Sequence, residues 1–198
     1  MQRLNWNRIA LFVALVAVGV LTRLCFRDLP NFAPVAAMAL FAGYFFASRA
    51  VALCVPLLVM TISDTVIGGY DTRVMALVYG SLMMPVAWRS ILRRWFRLDN
   101  ERLAPTALAA GGLLACGLAS SVMFFLITNF GVWTFSEMYS HDAVGLARCY
   151  TQALPFFRNT LIGDAFFAVM LFGGYATALR WLPAARHSSA AETLPAEI

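Results

Sequence analysis

R-I-A-L-F-V-A-L-V-A-V-G-V-L-T-R-L-C-F, residues 8–26, holds no charge between Arg8 and Arg23 and almost no polar atom. A helix of about 20 apolar residues, rising ~1.5 Å per residue, crosses a hydrocarbon core of ~30 Å. Working outward from it, five more stretches pass the same test, some by including weakly polar ends: 33–48, 50–67, 74–92, 105–130 and 154–181. The composition agrees. Over 198 residues, 61% are hydrophobic and 13% charged, with a mean hydropathy of +0.74, too little polar surface to cover a soluble domain. The fold class expected is therefore all-α: a polytopic membrane protein with six transmembrane helices in a compact bundle over residues 1–182, covered by an outer loop cap. Residues 183–198, rich in Ala, Ser and Glu, are expected to be a disordered cytoplasmic tail. No internal repeat or second domain is visible.

The charge pattern orients the bundle. There is no lysine, so all fifteen basic residues are arginines, against ten acidic ones. Assigning loops alternately puts Arg3, Arg8, Arg49, Arg89, Arg93, Arg94, Arg97, Arg102, Arg180 and Arg186 on one side and Arg23, Arg27, Arg73, Arg148 and Arg158 on the other. The positive-inside rule then places both termini in the cytoplasm of a multi-pass bacterial inner-membrane protein. The first span follows Arg3 and Arg8 as a signal peptide's would, but no small-x-small cleavage site precedes Arg27, so it reads as retained. Arginines clustered between apolar runs argue against nucleic acid as a partner.

Enzyme motifs are missing: no lysine for a phosphate loop, no G-x-S-x-G, no H-E-x-x-H. Neither an enzyme activity nor a cofactor is expected. Cys25, Cys54, Cys116 and Cys149 have no paired spacing. No metal site is assigned; His141 and Cys149, with Asp142 and Cys25 as neighbours, are the weak candidates for one.

The segment from Trp133 to Pro155 is too polar to span and unusually aromatic. Two readings fit it: a structured cap over the outer face, or an interfacial belt of Trp133, Phe135, Tyr139 and Tyr150.

Ionisable groups inside a span cost ~2.5–3.5 kcal/mol on insertion scales, so each asks for a partner or a task. Asp64, Arg158 and Asp164 qualify. Arg158 and Asp164 are separated by about 240° round a helix and cannot pair with each other. Asp64 with Arg158 is the expected ion pair. Tyr79, Asn129 and Asn159 come to a similar depth, and together with Trp133 and Tyr139 these groups form the expected substrate-binding set under the cap. The same residues also suit plain helix-to-helix hydrogen bonding. Ala10 and Ala14, with Ala17 following, and Ala39 with Gly43 are small-xxx-small steps, read either as internal packing or, for Ala10 and Ala14, as the docking face for a separate membrane subunit.

P-N-F-A-P-V-A-A-M-A-L-F-A-G-Y-F (30–45), S-D-T-V-I-G-G-Y-D (63–71), F-F-L-I-T-N-F-G-V-W (124–133) and A-L-P-F-F-R-N-T-L-I-G-D (153–164) resemble an uncharacterised family of bacterial six-span membrane proteins. That family is similar in turn to the substrate-binding S-components of energy-coupling factor (ECF) vitamin transporters. The resemblance implies a membrane-embedded binder of a vitamin or related micronutrient, cobalamin-like ligands included. It also implies docking through Ala10 and Ala14 on an ECF-type coupling subunit driven by ATPases. The alternatives left by the residues are a membrane enzyme or assembly factor using Asp64, Asp164 and Arg158, and a scaffold with no small-molecule ligand.

Overall fold

The computed structural model describes residues 6–95 and 106–181, and every regular element among them is helical. They are α1 (Trp6–Cys25), α2 (Val35–Phe45), α3 (Arg49–Ile67), α4 (Thr72–Met83), α5 (Arg89–Trp95), α6 (Thr106–Phe135) and α7 (Ala143–Trp181). A 3₁₀ turn, Met84–Trp88, joins α4 to α5. Pro85 causes it, since proline lacks an N–H and crowds the carbonyl four residues back, so the rod tightens instead of breaking. The expected tail 183–198 and the loop arginines Arg97 and Arg102 lie outside the described residues.

The chain is a helical membrane bundle. Five helical stretches are long and apolar enough to cross a membrane: Trp6–Cys25, Arg49–Ile67, Thr72–Arg94, Gly111–Phe135 and Ala143–Ala178. The expected second span, 33–48, is corrected: α2 has only 11 residues, about 16 Å of helix. Residues 26–34, which precede it, fold back into one end of the bundle. Phe32 in that loop packs on Phe26 and Phe167 with ring centres 5.3 and 5.5 Å apart. Gly163 allows the approach, since a Cβ there would stand 3.3 Å from the Phe32 ring and 3.4 Å from the Ala33 nitrogen.

V-A-A-M-A-L-F-A-G-Y-F has no polar face, and a helix apolar all round belongs in a core. Accordingly α2 sits at the centre, touching α1, α3, α4, α6 and α7, with Ala37, Ala39 and Ala42 fully buried. Gly43 lets the 3₁₀ turn close in, its absent Cβ lying 3.2 Å from the Val86 Cα. The Ala39–Gly43 step is thus internal packing. Ala10, Ala14 and Ala17, by contrast, are exposed on the outer side of α1.

The C-terminus of α2 has no carbonyl partners of its own. Arginines supply them. Arg93 donates from Nε to the Tyr44 carbonyl and from Nη2 to the Phe46 carbonyl, each at 2.9 Å, and Arg89 Nη2 donates to the Ala47 carbonyl at 2.7 Å. Positive charge at a helix C-terminus is also favoured by the helix dipole.

The outer loop cap is corrected as well. α6 continues through Phe135 and α7 begins at Ala143, so the connection is residues 136–142 alone. Polarity kept this stretch from reading as a span, but polarity does not oppose helix. Asp142 caps α7 by accepting from the Gly145 N–H at 2.6 Å, and Ser140 Oγ donates to the same carboxylate oxygen at 3.0 Å. The backbone hydrogen bond, then the serine, hold the Asp142 carboxyl below its ordinary range. At 39 residues, about 58 Å, α7 exceeds the hydrocarbon thickness.

Candidate functional site

α1 and α3 run parallel, Gly19 meeting Val59 and Arg23 meeting Asp64, and they come closest at Gly19, where a Cβ would fall 2.6 Å from Val59 and 2.9 Å from Met38. One turn further on, Arg23 lies on the same stripe as Leu15 and Gly19, at steps of four residues, and so points inward. Its Nη2 sits 3.0 Å from Asp64 Oδ1, and its Nη1 donates to Ser63 Oγ at 2.6 Å and contacts Met60 Sδ at 2.8 Å. Tyr79 from α4 donates to the other Asp64 oxygen at 2.7 Å. Both carboxylate oxygens are therefore engaged, as a buried charge requires.

This overturns the expected Asp64–Arg158 pair. Among the described residues α3 packs on α1, α2 and α4 and does not touch α7, so Arg158 has no route to Asp64. Arg158 is exposed.

Between the ends of α1, α3 and α4 on one side and α6 and α7 on the other lies a cavity of about 420 Å³. Aromatic rings dominate its walls: Phe26 and Phe32 from the folded-back loop, Phe124 and Phe125 from α6, Phe156 from α7, and Tyr70. The polar groups among them are Arg23, Arg27, Asn31, Thr128, Asn129, Thr160 and Asp164. Tyr70 stands in the α3–α4 connection, where burial pushes its phenol up, with the Asp64 charge adding to the effect and Arg23 opposing it.

α4 and α6 are antiparallel. Leu77 packs against Gly131, and Trp88 Nε1 donates to Ser120 Oγ at 3.1 Å, which sets Tyr79 near the level of Asn129. Asp164 lies deeper. It is buried and accepts from Ser121 Oγ at 2.6 Å, and Ser121 precedes Asn129 by eight residues, ~12 Å along the helix.

Of the eight residues expected to bind substrate, the structure brings Asn129 and Asp164 to the cavity wall. The other six are placed elsewhere. Asp64 and Tyr79 hold Arg23 in position. Asn159 Nδ2 donates to the Pro30 carbonyl at 3.1 Å and ties the folded-back loop to α7. Trp133 Nε1 donates to the Ser140 carbonyl at 3.0 Å, and Tyr139 OH donates to Gln152 Oε1 at 2.9 Å, so these two brace the α6–α7 connection. The weak metal candidates do not converge. His141 packs edge-on against Trp133, and buried Cys149 points its thiol at the Asn129 carbonyl, 3.4 Å away. No group of three or more His, Cys, Asp or Glu side chains that could hold a metal occurs among the described residues.

A family model described as a family of unknown function, DUF6580, matches residues 3–185, which takes in every helix that lines the cavity. The chain belongs to the DUF6580 family. No curated protein and no solved structure matches this DUF6580 chain.

Arg23 and Ser121 are the groups that sequence reasoning missed. Arg23 was legible in its four-residue step from Leu15 and Gly19, but the alternating-loop assignment counted it as a loop arginine. Ser121 carried no distinguishing signal within an apolar run that also holds Ser120.

Proposed function

We propose that this chain is an integral membrane substrate-binding protein, similar in role to the S-components of ECF transporters, that takes up a vitamin-like micronutrient. The observation that carries the proposal is the cavity: about 420 Å³ at one end of the bundle, aromatic-walled, with a few placed polar groups. Ligand pockets of ~300–1,000 Å³ have this makeup. The volume favours a molecule of one or two rings over a corrinoid. The groups on its walls are donors, acceptors and ring faces, suited to holding a molecule more than to transforming it.

In this reading the membrane is the bacterial inner membrane and both termini are cytoplasmic, as the arginine distribution argues. Uptake then borrows its energy from a coupling subunit with ATPases, and the outward-facing Ala10 and Ala14 offer the contact.

Mass spectrometry of small molecules that co-purify with the detergent-extracted protein tests the proposal. A single stoichiometric organic species, displaced when Phe125 or Asn129 is replaced by Trp to fill the cavity, is the expected result. A protein that carries no such species and gains no thermal stability from a panel of vitamins overturns it.

A further inference from the structure

A guanidinium and a carboxyl group face the same cavity from different depths, and each has spare bonding capacity. Arg23 spends one Nη2 proton on Asp64 and its Nη1 protons on Ser63 and Met60. A guanidinium has five N–H donors in a fixed fork, so Nε–H and the second Nη2–H remain, without an acceptor among the described residues. Asp164 accepts from Ser121 at one oxygen only, Oδ2, and its Oδ1 has no donor among the described residues. Both residues line the cavity. Arg23 sits in the last turn of α1, where its carboxylate partner is held by Tyr79, whereas Asp164 lies ~12 Å deeper than the Tyr79 level.

From this placement we infer that the cavity selects an elongated, ring-containing zwitterion, with its anionic end on Arg23 and its protonated amine on Asp164. The inference rests on the binding role proposed above and deepens it. Burying either charged group of such a ligand without a partner is costly; here the anionic end meets the Arg23 guanidinium, and a protonated amine beside Asp164 favours the carboxylate form that pairs with it. Arg27, also on the wall, reinforces the cationic end. Phe124, Phe125 and Phe156 line the cavity as well and supply rings on which a flat body can pack. A compact α-amino acid, whose charges are adjacent, cannot reach both groups.

The test is calorimetric titration of the detergent-solubilised, full-length protein with three probes: para-(aminomethyl)benzoate, para-toluate and para-methylbenzylamine. The first carries both charges at opposite ends of a ring, and each of the others carries one. The expected result is binding of the zwitterion at least about tenfold tighter than either single-charge probe, as a charge-assisted hydrogen bond contributes. Asp164→Asn, which keeps an acceptor for Ser121, should erase that advantage and leave para-toluate binding unchanged. Arg23→Lys should weaken both carboxylate probes while its melting curve stays cooperative. Equal affinities across the three probes, a zwitterion advantage that survives Asp164→Asn, or no binding of any probe would each overturn the inference. A co-purifying neutral or purely anionic molecule would overturn it too, while leaving the cavity's binding role standing. Absence of any bound species, by contrast, removes the role itself.

Discussion

Arg23 Nη2 lies 3.0 Å from Asp64 Oδ1, joining the last turn of α1 to the last turn of α3, while Tyr79 of α4 fills the second carboxylate oxygen. Three helices are thus tied at one level by a single acid. The Asp64 side chain is 5% exposed and that of Arg23 16%, so neither charge has water as a ready substitute. Removing one partner of such a pair strands the other.

Arg23→Met alone is therefore expected to destabilise the protein by about 3–5 kcal/mol, and Asp64→Leu alone by a similar amount. The double replacement should recover much of the loss, because no buried charge is left unpaired. Arg158→Met, on an exposed side chain, should leave the melting temperature unchanged. Thermal denaturation in detergent across this cycle reads all four outcomes, and additive single losses would show that the two groups do not interact.

Arg93 is expected to matter for stability beyond its place in the charge distribution. It bonds two carbonyls at the C-terminus of the central helix, and hydrogen bonds to charged groups contribute ~1.5–3 kcal/mol each. Arg93→Ala should cost about 2–4 kcal/mol by that measure, discounted for partial exposure. Arg93→Lys keeps the charge but not the fork, and should restore less than half. Full rescue by lysine, measured as melting temperature, would mean that the charge alone acts there.

The helical membrane-bundle class and the end of the bundle where polar groups gather were legible in the sequence. Hydrophobic runs report the hydrocarbon thickness directly, and Asp64, Asn129 and Asp164 stand out in them because ionisable or amide groups there are costly. Partner choice was not legible. Whether Asp64 meets Arg158 or Arg23 depends on which helices are neighbours, and an alternating-loop assignment places every arginine near a span end in a loop. The short α2 was misread for a related reason: residues 33–34 and 46–48 extend the apolar run, while Pro34 caps the helix so that it starts only at Val35, and it ends at Phe45.

Asp142 makes a pH prediction. Its carboxyl is held low by the Gly145 N–H, then by Ser140, so its folded value lies below its unfolded one near ~3.9. The capping stabilisation is fully present above about pH 4 and is lost as pH falls through the lower folded value. Amide hydrogen exchange of Gly145 and Leu146 should stay protected from neutral pH down to about pH 4 and loosen below it. Asp142→Asn, which still accepts but does not titrate, should flatten that profile. A transition near neutrality would mean that another group controls this helix end.

The last prediction concerns the outer face of α1. Ala10 and Ala14 are exposed, and the close internal contact of this helix is made instead by Gly19 against Met38 and Val59. Enlarging both alanines to leucine therefore builds outward from positions exposed among the described residues, and stability should change by no more than ~0.5 kcal/mol. Ligand binding in detergent should be equally unaffected, since neither residue borders the cavity. If a coupling subunit packs closely on this face, the same double replacement abolishes uptake in cells, because small residues at such a contact set how near two helices can come. Uptake assays and melting curves on the one variant separate the cases. Lost uptake with an intact, binding-competent protein supports docking at Ala10 and Ala14, and undiminished uptake leaves that face to lipid alone.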